Sequence, residues 1–125
     1  MTQSDKGKIL IIEDSKTTAV VLKEVLENEG YSVFLARDGV AGIAMARRGK
    51  PDLILLDLLL PKLNGYEVCN SIKQDNLTRH IPILVISTMD SPESVEKIKL
   101  CGAKNFMKKP YNLDDLLREI KRLLV

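Results

Sequence analysis

The chain has 125 residues, 19 Lys and Arg against 17 Asp and Glu, a net charge of +2, 45% hydrophobic residues, no Trp and two Cys. That is enough for one core without disulfides or a structural metal, and too apolar and too weakly charged for a disordered segment. No apolar run approaches the ~20 residues that cross a bilayer, and Met1 to Lys8 lacks the apolar stretch of a secretory signal, so the expectation is a cytoplasmic protein with no membrane contact.

Residues 1–7 read as a flexible N-terminal tail and 8–125 as one domain. Lys8 to Ile12 is a short apolar run closed by Glu13, Asp14 and Ser15, the pattern of a buried strand. A helix follows over Thr17 to Glu29, with Leu22, Val25 and Leu26 on one side, Ser15 as cap and Gly30 as stop. Ser32 to Ala36 is a second strand, and a helix from about Val40 to Arg48 is broken by Gly49, Lys50 and Pro51. Leu53 to Leu56 forms the third strand and ends in Asp57; the third helix starts near Asn64 or Gly65 and runs to about Asp75. Ile83 to Ile86 follows Pro82 and ends in Ser87 and Thr88. The fourth helix has Ser91 as cap, Pro92 at its first position and Glu93 in its first turn, but only Val95, Ile98 and Cys101 repeat on an apolar face. Asn105 to Met107 is the last strand, before Lys108, Lys109 and Pro110. The final helix, after Asn112, aligns Leu113, Leu116, Leu117, Ile120, Leu123 and Leu124 in one stripe.

Strand and helix alternating in this way require a parallel sheet covered by helices on both faces, the doubly wound α/β class. Ligands of such sheets bind at the carboxyl ends of the strands. Those ends carry Glu13 and Asp14, Asp57, Ser87 with Thr88, and Lys109. With the first and third strands as neighbours, three carboxylates would crowd into one pocket and call for a cation. Oxygen ligands with no His or Cys nearby suit magnesium and disfavour zinc or copper. Phosphoryl transfer uses this inventory: Asp57 as nucleophile, Asp14 as metal ligand with Glu13 acting through water, and Lys109 and Ser87 neutralising the phosphoryl oxygens. Singly, each residue has a plainer reading, since acidic pairs start helices and lysines populate surfaces. Their placement at four strand ends is what gives the set its specificity. Cys69 and Cys101 read as free thiols in or beside helices, and His80 as a turn residue ahead of a strand.

The chain closely resembles the receiver domain of two-component response regulators, from Lys8 to Val125. The resemblance rests on Ile11-Ile12-Glu13-Asp14-Ser15, on Pro51 to Asp57 followed by Pro61 and Gly65, on Ile81-Pro82-Ile83 leading to Ser87, on Gly102-Ala103 and on Lys109-Pro110. It implies a flavodoxin-like five-stranded sheet of order 2-1-3-4-5 with five helices. It implies that Asp57 accepts a phosphoryl group from a sensor histidine kinase or phosphotransfer protein with Mg2+, and that the Leu59 backbone carbonyl joins Asp14 and Asp57 as a metal ligand. It also implies a cis Lys109–Pro110 bond and a switch through Ser87 and Phe106. The expected product is a stand-alone, phosphorylation-controlled interaction switch that is not an enzyme beyond its own phosphorylation and dephosphorylation. It is expected to be a monomer or weak dimer, with its target on the face of the fourth helix, fifth strand and fifth helix.

Some positions depart from the family pattern. Phe106 lacks the hydroxyl of the Tyr often found there and is expected to stay buried in both states. Thr88 stands where a small residue is favoured and is expected to hinder small phosphodonors. Leu60 replaces a common Met. Leu59 and Met89 offer no side chain to orient an attacking water, so a long-lived phosphoryl group is expected. The alternatives are a phosphorylation-independent docking adaptor with the same fold, or a receiver fragment of a larger regulator. No glycine-rich nucleotide cradle follows any strand. The basic residues after Glu96 come without interleaved aromatics or a helix-turn-helix, so no direct nucleic-acid partner is expected.

Overall fold

The computed structural model describes residues 6–60, 63–88 and 91–124. The remaining positions include most of the expected tail, Pro61 and Met89, so the readings made of these lie outside the described residues. The apolar runs become β1 (Lys8–Ile12), β2 (Ser32–Ala36), β3 (Leu53–Asp57), β4 (Ile83–Ser87) and β5 (Asn105–Lys108). They form one five-stranded sheet in the order β2-β1-β3-β4-β5, parallel throughout. Every residue of β3 and β4 is buried, and so is all of β1 beyond Lys8. An unbroken apolar run is what a strand covered on both faces requires. The edge strands β2 and β5 are less apolar and only partly covered.

The helices are α1 (Lys16–Asn28), α2 (Gly39–Gly49), α3 (Gly65–Gln74), α4 (Pro92–Leu100) and α5 (Leu113–Leu123). Each starts at a side chain that accepts a free first-turn N–H: Ser15, Asp38, Asn64, Ser91 and Asn112. At α3 the cap is reciprocal, Asn64 accepting from Glu67 N and Glu67 accepting from Asn64 N. α2 ends where Lys50 takes a left-handed conformation, φ 47°, and donates its N–H to the Ala46 carbonyl.

Residues alternating along the strands feed two cores. Leu10, Ile12, Ile54, Leu56, Ile83 and Val85 meet α2, α3 and α4 through Ala46, Val68, Ile72 and Ile98. Ile9, Ile11, Leu53, Leu55, Leu84 and Ile86 meet α1 and α5 through Leu22, Leu26, Leu116 and Ile120. At roughly 1.5–3 kcal/mol for each large side chain fully buried, these two layers dominate the stability of the fold.

Two expectations about faces are corrected. On α4 the buried positions are Ser94 and Ile98, with Val95 only partly covered. Ser94 is small enough to approach the sheet closely, and its hydroxyl is paired with that of Ser91 at 3.0 Å. On α5, Leu113 is 41% exposed, because the buried line runs through Leu116 and Ile120, one turn further into the helix. His80 is exposed in a turn before β4, as read. Among the described residues no helix is long and apolar enough to cross a membrane.

Candidate functional site

Parallel register brings the strand ends to one edge. Ile12 pairs with Leu56, Asp57 with Ile86, and Ser87 with Lys108, so Glu13, Asp57, Ser87 and Lys109 emerge side by side. The Lys109 N–H donates to the Ser87 carbonyl at 2.8 Å, which carries the sheet ladder one residue past β5. The Glu13 N–H likewise donates to the Ala36 carbonyl at 3.0 Å. Backbone pairing therefore fixes the chain at both residues before any side-chain contact is made.

The Lys109 ammonium joins the group. Its Nζ donates to Asp57 Oδ2 at 2.8 Å and to Glu13 Oε1 at 3.3 Å. Asp57 Oδ1 accepts the Leu59 N–H at 2.9 Å, and Glu13 Oε2 accepts the Ser15 N–H at 3.0 Å. Both carboxylates are nearly removed from solvent, Glu13 being 6% and Asp57 9% exposed. Ser87 is fully buried, while Thr88 is exposed at the rim. The peptide bond between Lys109 and Pro110 is cis, as the resemblance implies.

These contacts set the ionisation of the site. Burial is the largest influence on Glu13 and, with the Asp57 charge, raises its pKa against the opposing pull of the Ser15 N–H and Lys109. For Lys109 burial acts to lower the pKa, but hydrogen bonding and charge from Asp57 and Glu13 outweigh it and hold the ammonium above its ordinary value. Tyr111 is raised by burial, with Lys109 opposing. It lines the floor of the site with Ile11, Leu55 and Ile86. The sequence reading passed over Tyr111; its place two residues beyond Lys109 was the available signal.

Asp14 is solvent-exposed, and among the described residues no hydrogen bond or ion pair engages its carboxylate. The expected crowding of three carboxylates is thus reached only by Glu13 and Asp57, joined through Lys109. Among the described residues no three His, Cys, Asp or Glu side chains form a metal cluster. The donor chemistry still fits magnesium. All the donors are oxygens, and one carboxylate is uncommitted. Asp14, Glu13 and Asp57 against one ammonium leave excess negative charge at this edge. Magnesium takes one or two protein carboxylates and keeps several waters, so it does not need a tight cluster. Phe106 on β5 is half-buried and packs with Ala103 against the layer that includes α4. An edge strand leaves one side of the ring uncovered. Leu59 is 59% exposed, and Leu60 is partly buried against the same layer.

Comparison with known proteins agrees with this arrangement. Residues 9–121 match the response regulator receiver domain model. Protein PilH of Pseudomonas aeruginosa is 35% identical over 118 residues, covering 94% of this chain and 98% of PilH. Some other relatives are longer, the chain covering from 50% down to 9% of their length, whereas the polar-differentiation response regulator DivK of Brucella anthropi, 30% identical over 93% of this chain, is covered over 94% of its own. The receiver domain of a signal transduction histidine kinase from Syntrophus aciditrophicus superposes with a TM-score of 0.88 at 37% identity, over 94% of this chain and 89% of that one. The receiver domain of the sensor histidine kinase PA1611 from Pseudomonas aeruginosa, with a magnesium ion coordinated in its active site cleft, superposes with a TM-score of 0.87 at 29% identity, over 94% of this chain and 97% of that one. By sheet order, site residues and sequence, the chain belongs to the response regulator receiver domain family.

Proposed function

We propose that Asp57 accepts a phosphoryl group from the phosphohistidine of a sensor kinase or phosphotransfer protein, and that this modification switches the affinity of the domain for a target protein. The observation that carries the reading is the contact of Lys109 with Asp57 at 2.8 Å, at a strand edge that also holds Glu13 and Ser87. A carboxylate oxygen of Asp57 attacks phosphorus as the phosphorus–nitrogen bond to the donor histidine breaks. The Lys109 ammonium, already beside that carboxylate, pairs with one phosphoryl oxygen, and the Ser87 hydroxyl donates to another. Asp14, Asp57 and the Leu59 carbonyl, with Glu13 acting through water, would hold magnesium, which would supply positive charge against the phosphoryl oxygens. The magnesium seen in the PA1611 receiver domain supports this choice of ion.

The phosphoryl group adds charge and acceptor oxygens that draw Ser87 and Lys109 inward. Phe106, half-buried beside α4, is the side chain placed to transmit that movement to the α4, β5 and α5 face. The chain then acts as a cytoplasmic monomer or weak dimer whose only chemistry is its own phosphorylation and dephosphorylation. PilH, matched over nearly its whole length, supports a stand-alone regulator.

The test is phosphotransfer from a panel of phosphorylated histidine kinases in the presence of magnesium, read by intact mass and by peptide mapping. One added phosphoryl group on Asp57, dependent on magnesium and abolished in Asp57→Asn, is the expected result. Phosphate mapped to another residue, or incorporation unchanged in Asp57→Asn, would overturn the assignment. The apolar Leu59 predicts slow hydrolysis; an autodephosphorylation half-life of seconds would contradict that part. A target that binds Asp57→Asn and the phosphorylated chain equally would favour the docking adaptor.

A further inference from the structure

Cys69 and Cys101 are 32 residues apart in sequence and meet in the core. Cys69 sits in the middle of α3, fully buried, and Cys101 caps the end of α4, 8% exposed. The Cys69 thiol donates to the Cys101 carbonyl at 3.2 Å, and the Cys101 thiol to the Ile98 carbonyl at 3.1 Å. Both cysteines are free. We propose that this pair is a redox modification site, which a hydroperoxide converts into a disulfide tying α3 to the end of α4.

Three observations give the two thiols different roles. Access is one-sided: a surface cavity of about 400 Å³ between α3 and α4 is lined by Cys101 with Tyr66, Lys97 and Leu100, while Cys69 lies behind it. Ionisation is also one-sided. Contact with Cys101 and burial push the Cys69 thiol far up, whereas contact with the Cys69 thiol and the nearby backbone N–H groups of Ala103 and Cys101 bring Cys101 below its ordinary value. The charged groups acting on the pair are basic, Lys73 favouring the Cys101 thiolate and Lys104 lying near Lys73. Finally, Cys101 is followed by Gly102 at φ +94°, a turn that frees the end of α4 from continuing as helix.

The chemistry balances. The Cys101 thiolate attacks the terminal oxygen of the hydroperoxide, the oxygen–oxygen bond breaks, and the alcohol or water leaves with the proton that Cys101 gave up. Cys101 is then a sulfenic acid. The Cys69 sulfur attacks the Cys101 sulfur and its proton leaves with the hydroxyl as water. The two thiols lose two electrons and the peroxide gains them.

The experiment treats the folded chain with hydrogen peroxide, blocks remaining thiols, and maps peptides without reduction. Expected are the loss of two hydrogens from the intact mass, loss of both free thiols, and a Cys69–Cys101 linked peptide that dithiothreitol reverses. Cys69→Ala is expected to stop at a dimedone-reactive Cys101, and Cys101→Ala to leave Cys69 unreacted, both with wild-type circular dichroism. Cross-linking only after denaturation, oxidation at Cys69 with Cys101 unchanged, or no reaction in the folded wild-type chain would overturn the proposal. The wild-type mapping decides even where a variant fails to fold.

Discussion

Lys109 holds two buried carboxylates in one place, and the consequence of losing it follows from simple electrostatics. In Lys109→Met the Asp57 and Glu13 charges remain buried without their shared cation. Leaving a buried charged acceptor unpaired costs about 1–3 kcal/mol, and the side chain's partial exposure keeps the figure in that range. Urea unfolding at neutral pH is expected to show that loss, and unfolding below the carboxylate range to show a smaller one, because protonated carboxyls no longer need the ammonium. Glu13 gives the complementary result. Its pKa is raised by burial, so over part of the acidic range the folded chain keeps a proton that the unfolded chain has released. Its contribution to stability is complete below the ordinary carboxylate value and is lost as pH rises through the raised one. Glu13→Gln removes this slope. The urea midpoint of the wild type is expected to fall relative to that of Glu13→Gln as pH is raised from about 4 to about 7. A parallel course for the two proteins would show that Glu13 ionises in the folded chain as it does in the unfolded one. The chemistry of these residues was legible because each ends an apolar run. What could not be read was the partition of the acids, Asp14 exposed and Glu13 inside, since adjacent residues differ in exposure only once the backbone after β1 is fixed.

Elements were legible to the degree that local chemistry alone defines them. The caps Ser15 and Ser91 act as read, because a hydroxyl before a helix has few competing uses. The reciprocal cap at Asn64 and Glu67 was not recognised, although its spacing lies open in the sequence. On α4 Ser94 takes the buried place beside Ile98 that Val95 was expected to fill, and on α5 only Leu113 falls outside the stripe, since Leu116, Leu117 and Ile120 face the core as read. Gly65 shows an element tied directly to the site. A Cβ there would stand 2.5 Å from Leu58 Cα and 2.9 Å from the Asp57 carbonyl oxygen, both backbone atoms that cannot turn aside. The first residue of α3 and the end of β3 must therefore separate in Gly65→Ala, moving the loop whose Leu59 N–H holds Asp57. A loss of about 1–3 kcal/mol is expected from such overpacking. Asp57 phosphorylation is expected to slow in the same variant under conditions where it remains folded. Gly42→Ala is the control. Its new methyl meets the Ile12 side chain first, at 2.6 Å from Cδ1, and lies away from the loop, so it is expected to reduce stability while leaving the phosphorylation rate of the folded protein unchanged.

The strand order itself could not be read from periodicity, which says only that strands are buried and that crossovers are parallel; it entered through the resemblance to receiver domains. Once β1 and β3 are neighbours at the centre, their alternating side chains become the floor of both cores, and neither layer can be lost alone. Leu55 faces α1 and α5 while Ile54 and Leu56, its immediate neighbours, face α2, α3 and α4. A residue pair that shares one strand but belongs to opposite layers couples them through the backbone, so unfolding is expected to be two-state. The absence of Trp makes this testable with tyrosine fluorescence. Tyr31 belongs to the α1 and α5 layer, and Tyr66 packs against the other. Variants that keep only Tyr31 or only Tyr66, the remaining tyrosines being replaced by Phe, are expected to give urea transitions that coincide with far-ultraviolet circular dichroism of the same variant. Leu55→Ala, which empties a fully covered position in the Tyr31 layer, is expected to cost about 2–5 kcal/mol. Introduced into both reporters, it is expected to shift the Tyr66 transition as far as the Tyr31 transition. A Tyr66 signal that holds its midpoint while Tyr31 moves would mean that the two faces of the sheet unfold separately and that the central strands do not couple them.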